Sequence, residues 1–263
     1  MPKGYGARLI YILQNNWQNF LDGALTTLAI AVVGTLVGCL IGFIVGIIQT
    51  IPQSKKDNIF KKIILFIVKG LCTCYVELFR GTPMMVQAMF IYYGAMQYLN
   101  WFMSMWFAAF FIVSINTGAY MAETVRGGII SIDNGQTEGA KSIGMSHTQT
   151  MVYIILPQAL RNILPQITNN LIINIKDTSV LSVIGVVELF FVSNQFVGST
   201  YVYFETFTVT MAVYLVMTIT SAKLLRFAEK KLAGPQNYEL NTEDTLALTS
   251  GLYKFPDKKE AEK

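Results

Sequence analysis

Four residues inside an otherwise apolar stretch, Lys176-Asp177-Thr178-Ser179, set two opposite charges and two hydroxyls side by side. At hydrocarbon depth each such charge costs about 3 kcal/mol, so groups of this kind face a bundle interior or a water-filled cavity. Being adjacent on a helix, Lys176 and Asp177 point to different faces and cannot simply pair with each other. Two roles stand open for Asp177. It caps a second half-helix with Thr178 and Ser179 assisting, or it meets polar groups of a ligand at a broken helix. Two further elements share one shape, Glu77-x-x-Arg80-Gly81 and Glu123-x-x-Arg126-Gly127. Residues at i and i+3 are helix neighbours, so each pair is expected to neutralise itself. Other chemistry is thin. His147 is the sole histidine, and Cys39, Cys72 and Cys74 lack the partners of a metal site. No Ser/His/Asp set is present, and no G-x-x-x-x-G-K-[ST] loop that would cradle ATP phosphates.

The elements that must hold these residues are membrane helices. Apolar types fill 53% of the 263 positions and charged types 14%, where a soluble domain carries about a quarter charged residues. Leu21 to Ile51 is interrupted only by Asp22, and Met84 to Ala122 carries no charge. Runs of about twenty apolar residues suit a hydrocarbon core roughly 30 Å thick. Five spans are expected: Leu21 to Ile51, Ile63 to Leu99 with a break at Arg80-Gly81-Thr82-Pro83, Met103 to Thr124, Ile167 to Phe196, and Tyr201 to Phe227. Ahead of them, Leu9, Ile10, Leu13, Trp17 and Phe20 form a stripe suited to an interfacial helix over residues 1–20. The membrane domain is expected over 21–232. Gly234-Pro235 ends the last helix, and 233–263 reads as a disordered, polar cytoplasmic tail.

Lysine and arginine cluster after alternate spans. Lys55, Lys56, Lys61 and Lys62 follow the first, Arg126, Lys141 and Arg161 the third, and Lys223, Arg226, Lys230 and Lys231 the last. Tyr98 to Ser104 and Gln195 to Glu205 hold none. Positive loops stay cytoplasmic, which sets the N-terminus outside and the C-terminus inside. With no soluble domain behind the lysines, nucleic acid is excluded as a partner.

The segment between spans three and four, Val125 to Gln166, carries the most specific pattern: Glu138-Gly139-Ala140, three residues, Gly144, nine residues, then Ile154, Ile155, Leu156 and Pro157. Two short helices parted by Gly144 make a compact knob, small residues at 139 and 140 let it enter a groove, and Pro157 helps fix where the next helix begins. This resembles the coupling loop of permeases of ATP-binding-cassette importers, E-A-A-x3-G-x9-I-x-L-P, with Gly139 as the one departure. Tyr75-Val76-Glu77-Leu78-Phe79-Arg80-Gly81-Thr82-Pro83 with Gln87, Ala119 to Gly128, Pro157 to Arg161 and Lys176 to Ser179 are similar to segments of the polar amino acid branch, the histidine- and glutamine-type permeases. The likeness covers roughly residues 15 to 230.

The resemblance implies an all-α, polytopic permease subunit of an importer that moves a polar amino acid by alternating access. It implies four partners: a separate ATP-binding-cassette ATPase docking at Glu138, Gly139, Ala140, Gly144 and Pro157, an extracytoplasmic amino acid-binding protein, a second permease copy or paralogue, and the lipid membrane. It implies no enzyme activity, cofactor or metal of the chain's own. Carried over by position, it points to Gln87, Asn170, Asn174 and Asp177 as substrate contacts, with Thr178 beside them. Gln87 has a second reading as an interhelical hydrogen-bond donor. Members that take cationic amino acids often have glutamate where this chain has Asn170, and that departure favours a neutral substrate such as glutamine over arginine. An ion-coupled secondary transporter is the alternative. It would explain Lys176 and Asp177 but leaves the Glu138 to Pro157 knob without a role.

Overall fold

A computed structural model describes residues 2, 4–52 and 58–233. Lys55, Lys56, Gly234, Pro235 and the tail beyond lie outside the described residues. The chain divides into units Met1–Glu229 and Lys230–Lys263; all that follows concerns the first, apart from the end of the last helix. Every regular element among the described residues is helical: α1 (Tyr5–Thr50), α2 (Ile59–Gly81), α3 (Met84–Leu99), α4 (Met105–Ile130), α5 (Asn134–Ser142), α6 (His147–Thr150), α7 (Leu156–Asp177), α8 (Leu189–Thr200) and α9 (Tyr203–Ala233). A π-helical turn over Met151–Ile155 joins α6 to α7, and a 3-10 segment over Thr178–Ile184 follows α7.

Helix ends follow local chemistry. Ser104 caps α4 by accepting from the Phe107 N–H at 3.2 Å, and Asp133 caps α5 through Gly135 at 2.6 Å. Asn100 closes α3 at φ 48° and Gly185 closes the 3-10 segment at φ 87°, both in the left-handed region. Pro83 divides α2 from α3, where the Arg80 to Pro83 break was expected. No break falls near residue 20. The N-terminal stripe continues into the first span as one 46-residue helix. Along it Phe20 is buried whereas Ile10, Leu13 and Trp17 are exposed.

The longest seam joins α1 to α4, and glycine makes it possible. Gly34, Gly38, Gly42 and Gly46 recur every four residues and face Val113, Thr117, Met121 and Val125 in turn. A Cβ at Gly38 would stand 2.6 Å from Thr117 Cβ, and one at Gly46 would stand 2.7 Å from Val125 Cβ. Small residues at this spacing let two backbones approach in a medium that supplies no hydrophobic drive between helices. Both numberings rise together, so α1 and α4 run parallel.

Parallel packing dictates the path between them. The chain leaves α1 at one end and must re-enter α4 from the other, so α2 and α3 carry it back. Lys69 on α2 donates to the Ile51 carbonyl at the end of α1 at 2.6 Å. Further on, Gln87 meets Asn116 midway along α4, and Ala95 joins Ala108 and Ala109 near its start. The later helices run alternately. Asn174 meets Thr117, Asn170 meets Met121 and Ile163 packs against Gly128, so α7 is antiparallel to α4. Thr168 with Glu229 and Glu188 with Tyr214 set α9 antiparallel to the α7–α8 run.

Among the described residues, three helices are individually long and apolar enough to cross a membrane: Tyr5–Thr50, Met105–Ile130 and Tyr203–Glu229. His147–Ile184 with Leu189–Thr200 makes a fourth if the pair, bent by 53°, counts as one span. The expected second span does not qualify as a single helix. It is divided into an amphipathic 23-residue α2 and a 16-residue α3, and the latter is about 24 Å long, short of the hydrocarbon thickness.

Candidate functional site

At the polar run the fourth span passes from α-helix to 3-10 helix, and its 53° bend falls beyond it, between Ile184 and Leu189. The α-helix stops at Asp177, and seven residues of 3-10 helix lead to Gly185. Thr178 turns its hydroxyl onto the Ile175 carbonyl at 3.0 Å and is fully buried, and Ser179 bonds the Lys176 carbonyl at 2.7 Å. Asp177 makes no side-chain cap bond to the following segment. Its carboxylate is exposed and has no ion-pair partner among the described residues. The capping role is therefore unfilled in this structure. Lys176, as its position next door requires, points elsewhere, into a recess with Phe190, Phe207 and Tyr214.

The three amides picked out beside Asp177 are buried and engaged. Asn174 donates to Thr35 Oγ1 at 2.7 Å and to Thr117 Oγ1 at 2.9 Å, tying α7 to both α1 and α4. Asn170, one turn earlier, donates to Met121 sulfur and to the Gln166 carbonyl, each at 3.1 Å. Gln87 donates to the carbonyls of Phe79 and Thr82 at 2.9 Å and accepts from Asn116 at 2.9 Å. Those carbonyls belong to the last turn of α2 and its cap, which lack intrahelical donors because the helix stops at Pro83. Gln87 thus bridges the break. Asn116 and Thr117 are neighbours on α4, so the Gln87 and Asn174 bonds form two rungs of one polar ladder. Asp177 stays off the ladder, and Thr178 is sealed beneath it.

Two short helices parted at Gly144 form the knob. Glycine at 144 adopts φ +83°, a conformation that costs other L-residues about 1–2 kcal/mol. It separates α5 from α6, which opens on a capping box between Ser146 and Gln149. Glu138 and Gly139 are exposed and Ala140 is buried. A methyl at Gly139 would meet nothing within 4 Å, so packing within this chain does not require the small residue there. Pro157 stands in the first turn of α7, where the next helix was expected to begin. The run from His147 to Ile184 is helical throughout, and Pro157 sits just after the wide turn Met151–Ile155. A proline in a regular α-turn clashes with the carbonyl four residues back. The π-turn, in which Leu156 N–H bonds the Met151 carbonyl, makes room for the ring.

Of the two Glu-x-x-Arg elements, one pairs as expected and the other does not. Glu123 pairs with Arg126 along the helix. Arg80 does not turn to Glu77. It reaches across to Glu123 at 3.7 Å and lies over the Tyr120 ring at 5.7 Å. Glu77 has no ion-pair partner among the described residues, and one carboxylate serves two guanidinium groups on adjacent helices.

Sequence reading missed Thr35, Asn116 and Thr117, polar residues within apolar runs whose significance lies in their partners. It also missed Glu188. This fully buried carboxylate accepts the N–H groups of Phe190 at 2.8 Å and Phe191 at 2.7 Å, and the Tyr214 hydroxyl at 3.0 Å. It caps α8 and fastens the bend to α9. A lone glutamate before Leu-Phe-Phe was the available signal.

A bundle of apolar helices, a bent span with an unpaired carboxylate, and a glycine-hinged knob together describe a transport subunit. The match to known proteins agrees. Residues 64–233 fit the family described as binding-protein-dependent transport system inner membrane component, and the chain belongs to it. It is a permease subunit of an ATP-binding-cassette importer. The glutamine transport system permease protein GlnP of Escherichia coli (strain K12) is 36% identical over 168 residues, which cover 64% of this chain and 77% of GlnP. The arginine transport system permease protein ArtQ of Bacillus subtilis (strain 168) is 34% identical over 182 residues, 65% and 83% of the two chains. A crystal structure of an amino acid ABC transporter with histidines superposes with a TM-score of 0.74 at 33% identity, covering 88% of this chain and all of the other. The MetNI methionine ABC transporter, at 20% identity, shares the fold with a TM-score of 0.65 over 84% and 97% of the chains. Family membership removes the ion-coupled alternative.

Proposed function

We propose that this permease moves a neutral polar amino acid into the cell, with Asp177 as its first contact in the membrane. The observation that carries the reading is the state of Asp177: an exposed carboxylate inside a candidate span, where α-helix passes into 3-10 helix, with no ion-pair partner among the described residues and free of any capping duty. An ammonium group offsets such a charge. Asn174 stands one turn before Asp177, so a solute held at Asp177 reaches the ladder when the Thr35 and Thr117 bonds open. Asn170, Asn174 and Gln87 then offer amides, not charges, to the side chain. The relatives named for glutamine and arginine and the solved amino acid transporter support the class of substrate. The amides favour glutamine within it.

The remaining assignments follow the same reading. An ATPase subunit docks against Glu138, Gly139, Ala140 and Gly144, where Gly139 and Gly144 are exposed with open space beside them, and Pro157 anchors the helix behind them. A binding protein delivers the solute from outside, and a second permease copy or paralogue completes the pathway. The chain crosses five times, with α2 and α3 as the second crossing, the N-terminus outside and the C-terminus inside.

Uptake by proteoliposomes holding this chain, its ATPase and its binding protein tests the proposal across a panel of amino acids. Asp177→Asn keeps the shape and removes the charge. Glutamine uptake is expected to fall by roughly tenfold, equivalent to about 1.4 kcal/mol, while the ATPase remains assembled. Unchanged rate and affinity in Asp177→Asn would refute the role given to Asp177.

A further inference from the structure

A second polar recess lies away from the ladder, between the N-terminal half of α1, the start of α4 and α8. It has a volume of about 520 Å³, within the range of small-molecule sites. Asp22, Asn16, Asn19 and Gln195 line it together with the aromatic rings of Trp106 and Phe196. Asp22 is the single charge in the first apolar run. Among the described residues, none of these four polar side chains has a hydrogen-bond or ion-pair partner, whereas the polar groups of the ladder are satisfied within the fold. One carboxylate and three amides, all unengaged, against an aromatic wall make up a set that recognises an ammonium group and a neighbouring polar function.

The recess is also placed to communicate with the bend. Val187 lines it, and the next residue is the Glu188 cap; Thr26 lines it, and the next residue, Thr27, accepts from the Leu189 N–H at 3.3 Å. The floor is close-packed, since a Cβ at Gly23 would stand 2.9 Å from Leu189 Cα. Resting on the topology proposed above, the recess opens toward the outer face.

We propose that this recess is an outward-facing binding site for a free amino acid, with Asp22 taking its ammonium group and Asn16, Asn19 and Gln195 its polar functions. It is separate from the contact at Asp177. In a variant lacking the three native cysteines, Ser199→Cys places a thiol on the wall without touching the four proposed contacts, and its labelling by an impermeant maleimide is followed in proteoliposomes holding the full chain. Millimolar L-glutamine is expected to slow labelling, N-acetyl-L-glutamine to leave it unchanged, and Asp22→Asn to raise the protecting concentration by about fivefold. Protection by N-acetyl-L-glutamine equal to that by glutamine would overturn the role of Asp22. No protection by glutamine, arginine or glutamate would overturn the site, as would protection by the solute-free binding protein alone. The assay needs no turnover, so failure of ATP-driven uptake would count against the transport reading and leave this result standing.

Discussion

Replacing Gly38 by alanine tests the seam on which the bundle rests. The added methyl would stand 2.6 Å from Thr117 Cβ, 2.8 Å from its Cγ2 and 3.0 Å from the Ser114 carbonyl oxygen. Carbon atoms settle at about 3.5–4.0 Å, so α1 and α4 must part locally by about 1 Å. Asn174 bridges Thr35 on α1 and Thr117 on α4 at 2.7 and 2.9 Å, so a parting of that size takes one of the two bonds beyond hydrogen-bond range. Overpacking costs about 1–3 kcal/mol, and each interhelical hydrogen bond lost in a membrane protein adds about 0.6 kcal/mol. Better helix propensity returns at most about 1 kcal/mol. The net loss is about 1–3 kcal/mol. Gly70→Ala in α2 is the matched control, because a methyl there meets nothing within 4 Å. Thermal unfolding of the purified protein in detergent is expected to show Gly38→Ala melting several degrees lower and Gly70→Ala melting at or above the parent. Coincident curves for the two variants would refute the close-approach account.

The other predictions concern the knob, the topology and the bend. Gly144→Leu forces a branched side chain into φ +83° and should abolish ATP-driven uptake while membrane insertion, followed by fractionation, is unaffected; uptake at the parental rate would remove the docking claim. In a cysteine-free background, a thiol at position 101 should react with impermeant reagents in intact cells and one at position 141 should not, and the reverse pattern would invert the topology. Glu188→Ala leaves the Phe190 and Phe191 N–H groups and the Tyr214 hydroxyl without their acceptor. At about 1–3 kcal/mol per unsatisfied buried group, it should lower the melting point further than Tyr214→Phe does, and equal melting points would contradict the capping role.

Features governed by local chemistry were legible in the sequence. The break at Pro83, the turn at Gly144 and the end of α-helix at Asp177 each follow from a residue that its neighbours cannot override. Features governed by partners were not. Arg80 was paired with Glu77 on spacing alone, yet the nearby face of α4 presents Glu123 and the Tyr120 ring, and a long side chain takes the better-placed group. The hydroxyl partners of Asn174, Thr35 and Thr117, lie 139 and 57 residues away in the chain, beyond any local pattern. Pro157 does stand at the start of α7, but the π-turn that joins this helix to α6 has no simple sequence signature. Glu188 escaped notice for a related reason: its value depends on Tyr214, 26 residues later on another helix.

On the proposed reading, the two kinds of helix contact divide the labour of transport. The α1–α4 seam is built from glycines against branched side chains, and its energy falls steeply with any separation, so those two helices move as one body. The α7 contact is built from Asn174 between two hydroxyls. Hydrogen bonds of this kind in membranes are worth about 0.6 kcal/mol each, and a polar solute can replace Thr35 and Thr117 as partner at little net cost. A solute arriving at Asp177, one turn or about 5.4 Å along the helix, therefore exchanges bonds with the ladder without first breaking an apolar core. The bend at Gly185 and the Glu188 cap let α7 shift while α8 stays fastened to α9. The ladder is thus where access can alternate, and the glycine seam is the frame against which it does so.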